Sequence, residues 1–281
     1  MSDQNLIGNP EEEHRGKEMS FLDHLEVLRW MLIRSTIAIL IGAVLAFSFK
    51  ELLFDGILFG PSKVDFVTYQ YLCKLGERID SPGLCITELP FELISNSMQG
   101  QFSTHIWISF IAGMILVFPY ILWEVWKFIS PGLYKKEKRY ASAFIIISSL
   151  LFFIGVLFGY YIISPMSIQF LASYTVSATV KNLIPLSSYF SVMKSSVLAS
   201  GIMFELPIII YFLSKIGIVT PKFLRTYRKH AIIVVLILAA IITPPDVLSQ
   251  IIVTIPVLIL YEVSIIISAV IYKKQQKALA A

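Results

Sequence analysis

The sequence predicts an all-α integral membrane protein of six transmembrane helices, with both termini on the cytoplasmic face. Three observations predict it. The chain is 56% hydrophobic and only 15% charged, whereas a soluble domain usually carries about 25% charged residues. Residues 93–123 and 141–180 contain no Asp, Glu, Lys or Arg, and a bilayer crossing needs about 20 apolar residues. Lysine and arginine are also unevenly placed: segments 1–34, 124–140, 214–230 and 273–281 hold 17 of the 23 basic residues. Basic connections stay in the cytoplasm, so those four segments define the inner side.

Residues 1–19 are polar, with Glu11, Glu12 and Glu13 in a row, and read as a disordered cytoplasmic tail. No basic n-region or small-residue cleavage site marks a secretory signal. Order begins at Ser20, which with Asp23 forms a capping-box variant. Phe21, Leu22, Leu25 and Leu28 recur at helical spacing, as in an amphipathic helix at the interface. That helix leads into the first span, about 30–49, where Arg34 lies one turn inside and is expected to snorkel to the cytoplasmic surface.

A long polar outer connection follows at 50–102, with Pro61, Pro82, Pro90, Cys73 and Cys85. The second span is about 103–123, kinked by Pro119. The third is about 141–163, followed by a polar, irregular stretch over 164–190. The fourth, about 192–213, is interrupted by Glu205 and Pro207. The fifth falls within 229–242. Its apolar run from Ala231 to Ile242 spans 12 residues, roughly 18 Å of helix, against a hydrocarbon core of about 30 Å. Thr243, Pro244, Pro245 and Asp246 form a tight turn, because two prolines cannot continue a helix. The sixth span, about 250–272, contains Glu262. Both final helices read as short, in a hairpin that thins the bilayer or leans on a partner. Residues 273–281 are a cytoplasmic tail, so 20–272 is one membrane domain.

Several function classes lack support. No G-x-x-x-x-G-K-[ST] motif is present, so the chain is not expected to hydrolyse ATP. No basic tract interleaves with aromatics, so nucleic-acid binding is not expected. No CxxC pair or histidine cluster suggests a metal, and no cofactor is implied. His14, His24, His105 and His230 are scattered and read as structural or interfacial. Cys73 and Cys85 both fall on the outer side, where an oxidising compartment permits a disulfide; the alternative is two unpaired thiols.

Charges inside a bilayer cost several kcal/mol unless paired or solvated, so acids at depth need a reason. Glu205 reads as an intramembrane docking point or as an acid bonded to a neighbouring helix, and Glu262 is similar but nearer the cytoplasmic end. Glu137 stands among Lys135, Lys136, Lys138 and Arg139; alone, that pattern describes a solvated surface charge. Asp246 is placed to cap the sixth helix, with Gln250 beside it.

The segments His24-Leu-Glu-Val-Leu-Arg29, Phe128-Ile-Ser-Pro-Gly-Leu-Tyr-Lys135 with Glu137, Phe204-Glu-Leu-Pro207 and Thr243-Pro-Pro-Asp-Val-Leu-Ser-Gln250 together resemble the TatC family. This family is the multi-span core of the twin-arginine protein translocase, and the resemblance runs from about Phe21 to Tyr272. It implies a bacterial cytoplasmic-membrane receptor and scaffold that exports folded proteins, with no enzymatic activity. It implies twin-arginine precursors and TatA/TatB-type single-span subunits as partners, self-association, and drive by the proton gradient. Glu137 resembles the principal carboxylate for the arginine pair, as a carboxylate accepts two parallel hydrogen bonds from a guanidinium, and Phe128 resembles a supporting position. The family usually has Glu where this chain has Val27, which leaves Glu26 and Asp23 as candidates for the second carboxylate. Glu205, Thr243 and Gln250 resemble partner-docking positions, with Glu262 grouped beside them; Pro207, Pro244, Pro245 and Asp246 are structural. The long outer loop with its cysteines departs from the family.

Two other classes compete. A small-solute secondary transporter would use the intramembrane acids as ion sites, but such carriers have repeated halves with paired broken helices, and no repeat is evident. A membrane-embedded hydrolase needs a nucleophile facing a base, and no serine or cysteine in a span has a histidine at matching depth.

Overall fold

The computed structural model describes residues 21–78, 80, 85–86, 88–130, 141–177, 179, 182–243 and 247–279. Glu137, Pro244, Pro245 and Asp246 lie outside the described residues.

The leading segment and first span are one continuous helix, α1 (Phe21–Ser48). No proline or glycine pair interrupts the run from Phe21, so interface and membrane portions share one axis. It packs most extensively on α3 (Gly100–Ile129). Arg34 pairs with Glu124, Gly42 meets Gly113 and Phe47 stacks on His105, so the two helices are antiparallel. A Cβ on Gly42 would sit 3.0 Å from the Gly113 carbonyl oxygen. Only glycine lets the two backbones come this close, a small-residue packing common between membrane helices.

The next helix, α4 (Ala141–Phe158), continues through a π-helical turn at Gly159–Ile163 into α5 (Ser164–Ser173). The stretch 164–190, expected to be irregular, is therefore helical in its first third. Pro165 lies within this continuous helix, where it lacks the N–H that would serve the Tyr161 carbonyl; the Thr68 hydroxyl donates to that carbonyl instead. Antiparallel to α4 runs α6 (Leu186–Phe204). A Cβ on Gly155 would fall 2.6 Å from the Ser200 carbonyl oxygen, and the Ser200 hydroxyl donates to the Gly155 carbonyl at 2.8 Å. The chain then breaks at Glu205 and resumes as α7 (Leu206–Lys215), with Pro207 in its first turn.

After α8 (Pro221–Thr226) come α9 (Arg228–Ile242) and α10 (Val247–Leu279). At 15 residues, α9 is roughly 22 Å long. The expectation of a short sixth helix is corrected: α10 has 33 residues. Lys273, Lys274, Gln275 and Gln276 are good helix formers and carry the helix past residue 272. The amide of Gln275 donates to the Lys215 carbonyl at 2.9 Å, so the expected tail is partly docked helix. Five segments among the described residues are long and apolar enough to cross a membrane: Leu22–Ser48, Gly100–Ile129, Ser142–Ser173, Leu186–Lys215 and Ser249–Gln276. They leave large apolar side chains such as Ile41, Val44, Leu150 and Ile266 exposed on their flanks, as lipid-facing helices do.

The side opposite the basic connections is a cap. It holds a π-helical turn (Leu52–Leu58), α2 (Val67–Arg78) and a parallel ribbon of β1 (Glu92–Ile94) with β2 (Leu183–Pro185). The ribbon departs from the all-α expectation, though the described residues are otherwise helical apart from their connections. Phe54, Leu58, Ile108, Tyr189, Phe190 and Met193 form the core beneath the cap. Tyr69 is 1% exposed, and its hydroxyl donates to the carbonyls of Pro61 (2.9 Å) and Pro165 (3.1 Å). Burial pushes that phenol above its ordinary pKa, which keeps it a donor. Cys73 and Cys85 are brought together, with Cα atoms 4.1 Å apart.

Candidate functional site

At the basic end of the α1–α3 pair lies a groove of about 390 Å³. From α1 it is lined by Asp23, Glu26, Val27, Trp30, Met31 and Arg34. These positions recur at three- and four-residue steps, so they share one helix face. From α3 come Glu124, Lys127 and Phe128. His24 stacks on Phe128 with ring centroids 4.3 Å apart, joining the two walls. The structure thus brings Asp23, Glu26 and Phe128 into one cavity with Val27 among them, so the one-residue displacement of the acid does not turn Glu26 away.

Glu124 was not anticipated. It is 2% exposed and accepts from Lys127 Nζ at 2.8 Å and from Arg34 Nη1 at 3.4 Å. Lys127 also lies over the Trp123 ring, 4.1 Å from its centroid, a favourable cation–π distance. Arg34, expected to snorkel, is half-exposed and reaches this carboxylate. The signal was present: Glu124 ends a charge-free run and precedes Lys127 by one helical turn.

The remaining candidates are dispersed. Glu205 is 9% exposed, at the break between α6 and α7. Its Oε2 accepts from the Ser148 hydroxyl of α4 at 2.5 Å. Its Oε1 has no hydrogen-bond partner among the described residues. Thr243 is buried and donates to the Ala239 carbonyl at 2.9 Å, within its own helix. The Gln250 amide donates to the Leu236 carbonyl at 3.1 Å, tying α10 to α9. Glu262, expected as an acid nearer the cytoplasmic end of its span, is half-exposed and paired with Arg228 at 2.8 Å. Among the described residues, no hydrogen bond or ion pair joins Glu205 to Thr243, Gln250 or Glu262.

Apolar helices of spanning length, an acid-lined groove at one face and a buried acid between helices describe a multi-span membrane protein with a polar site at one end. Comparison with known proteins makes this specific. The family model for the Sec-independent protein translocase protein (TatC) matches residues 23–256. The Sec-independent protein translocase protein TatC of Blattabacterium sp. subsp. Periplaneta americana is 43% identical over 92% of this chain and 98% of its own. That of Desulforapulum autotrophicum is 38% identical over 91% and 86%. A crystal structure of the twin arginine translocase receptor TatC in DDM superposes with a TM-score of 0.67 at 36% identity, over 86% of this chain and 98% of that one. The chain belongs to the TatC family. It is a membrane component of a protein translocase, and its class is transport, not catalysis.

Proposed function

We propose that this chain is the twin-arginine signal receptor and the scaffold of a translocase that exports folded proteins across the bacterial cytoplasmic membrane. The observation that carries the reading is the groove: Asp23, Glu26 and Glu124 around an aromatic floor of Trp30 and Phe128, at the basic end of the molecule. Carboxylates suit paired guanidinium groups, and aromatic faces suit the stems that carry them. The basic end is cytoplasmic by the charge rule, so both termini are inside, where an unexported signal arrives. Glu137 is the principal carboxylate in this reading, with Asp23 and Glu26 supplying the second.

The scaffold role rests on Glu205. A buried acid with one oxygen unpartnered among the described residues offers a hydrogen-bond site to a helix entering from the bilayer. TatA/TatB-type single-span subunits are that partner, with Thr243 and Gln250 at the outer hairpin as the second contact. An interhelical polar pair is worth roughly 0.6–2 kcal/mol, which suits subunits that assemble and leave. The short α9 thins the bilayer beside them. The chain self-associates, and the proton gradient drives transport.

The test is export of a twin-arginine reporter in cells carrying Glu137→Ala. Twin-arginine export is expected to cease while Sec-dependent export continues. Normal export by a stably expressed mutant overturns the reading.

A further inference from the structure

We propose that Glu124 is a guanidinium acceptor inside this groove, and that Arg34 is an internal ligand which holds it until a signal arginine takes its place. The inference rests on the receptor reading and adds a residue and a competitor to it.

A carboxylate at 2% exposure is costly to leave without cations, so it must always be paired. Its two cations are not equivalent. Lys127 is one turn along the same helix, at 2.8 Å, the length of a charge-assisted hydrogen bond. Arg34 reaches across from α1 and makes a single contact at 3.4 Å, with its side chain 52% exposed. A guanidinium can give a carboxylate two parallel bonds near 2.8 Å; Arg34 gives it one long one. The weaker partner is therefore chemically identical to the arginine side chains of the proposed ligand. It also lines the cavity from which that ligand approaches.

Charge balance supports exchange. Among the described residues, Asp23, Glu26 and Glu124 face Arg34 and Lys127 around the cavity, a formal excess of one negative charge. An incoming arginine pair meets repulsion from Arg34 while Arg34 stays on Glu124. When a signal guanidinium binds Glu124, Arg34 swings to solvent, which its exposure permits. Lys127 remains, so the carboxylate is never bare during the swap. A twin-lysine signal has no bidentate bond to offer and displaces Arg34 poorly.

The experiment uses the purified full-length chain in detergent and two fluorescent synthetic signal peptides, one with paired arginines and one with paired lysines. Arg34→Gln is expected to tighten the arginine peptide about two- to fivefold, the range of a half-exposed ion pair. Glu124→Gln is expected to weaken it about tenfold, and in its background Arg34→Gln no longer tightens binding. Arg34→Lys, which keeps the charge, falls between wild type and Arg34→Gln. Unchanged or weaker binding by Arg34→Gln overturns the proposal, as does equal tightening with Glu124→Gln present. If Glu124→Gln is not monodisperse, the half-exposed Arg34 variants decide alone. If wild type binds both peptides equally, the receptor reading itself fails. If wild type discriminates and the Arg34 and Glu124 variants are silent, only this inference falls.

Discussion

Glu124 and Glu205 are both buried carboxylates in apolar helices, at 2% and 9% exposure, yet their surroundings have nothing in common. Glu124 sits near the basic end of α3 and meets an ammonium and a guanidinium. Glu205 sits at the break between α6 and α7 and meets one hydroxyl, with its other oxygen unpartnered among the described residues. The difference teaches that depth selects the partner. Near the membrane surface, long cationic side chains keep their stems in apolar surroundings and still reach an acid. Deeper, a second charge would cost several kcal/mol, and only a compact hydroxyl is supplied. The first site is thereby suited to exchanging charged ligands, the second to accepting one polar group from a passing helix.

The largest expected effect comes from inverting the deeper acid. Glu205→Lys places an uncompensated cation among α4, α6 and α7, and export of a twin-arginine reporter is expected to fall to background. Glu205→Gln retains an oxygen for the Ser148 hydroxyl and a polar edge for a partner helix, so it keeps most of the export. Crosslinking from this position to a TatA-type subunit should follow the same order. Equal loss in both variants would mean that the negative charge is required, and the contrast with Glu124 would collapse.

Ionic strength separates the two sites without a mutation. Raising salt from about 50 mM to about 500 mM shortens the screening length from roughly 14 Å to roughly 4 Å. Signal-peptide binding at the half-exposed groove is expected to weaken several-fold, by anisotropy. Association of the single-span partner proposed to dock at Glu205, away from mobile ions, should change less than about twofold. Equal salt sensitivity would place both contacts in water.

Much of this contrast was legible in the sequence, and the rest was hidden for physical reasons. The spans showed because apolar runs without charge have few other uses. Glu205 showed because an acid between Phe204 and Pro207 is out of place in such a run. Asp23, Glu26 and Phe128 were named, but their convergence needs the crossing of α1 and α3. The Arg34–Glu124 pair joins residues 90 apart, and no local pattern announces it. The end of α10 was misplaced because hydropathy marks where the membrane stops, whereas Lys273 and Gln275 continue the helix in water. The outer ribbon pairs residues 91 positions apart, Glu92 with Leu183, each in a strand too short for alternation to register.

A third, intermediate effect is expected in the cap, which neither acid touches. The Cys73–Cys85 link closes 12 residues of sequence separation, and a loop of that size is worth about 2–3 kcal/mol. Cys73→Ser should therefore lower the thermal midpoint and expose Cys85 to thiol labelling, while signal-peptide affinity stays unchanged. Identical labelling of the wild type with and without reductant would show that the bond does not form. A large loss of peptide affinity would couple the cap to the groove.

The smallest effect is expected at the third acid, and it tests the depth rule most sharply. Glu262 and Arg228 are 49% and 48% exposed, and pairs of that kind contribute about 0–1 kcal/mol. Arg228→Ala should leave stability nearly unchanged and export near normal, because Glu262 turns to water or to a neighbouring cation. This is the outcome if the Arg228 end of α9 lies at the aqueous boundary in the working assembly. A loss of export comparable with that of Glu205→Lys would mean that another subunit covers this face and removes it from water. Depth would then be set by the assembled translocase, and Glu262 would move from the class of Glu124 to that of Glu205.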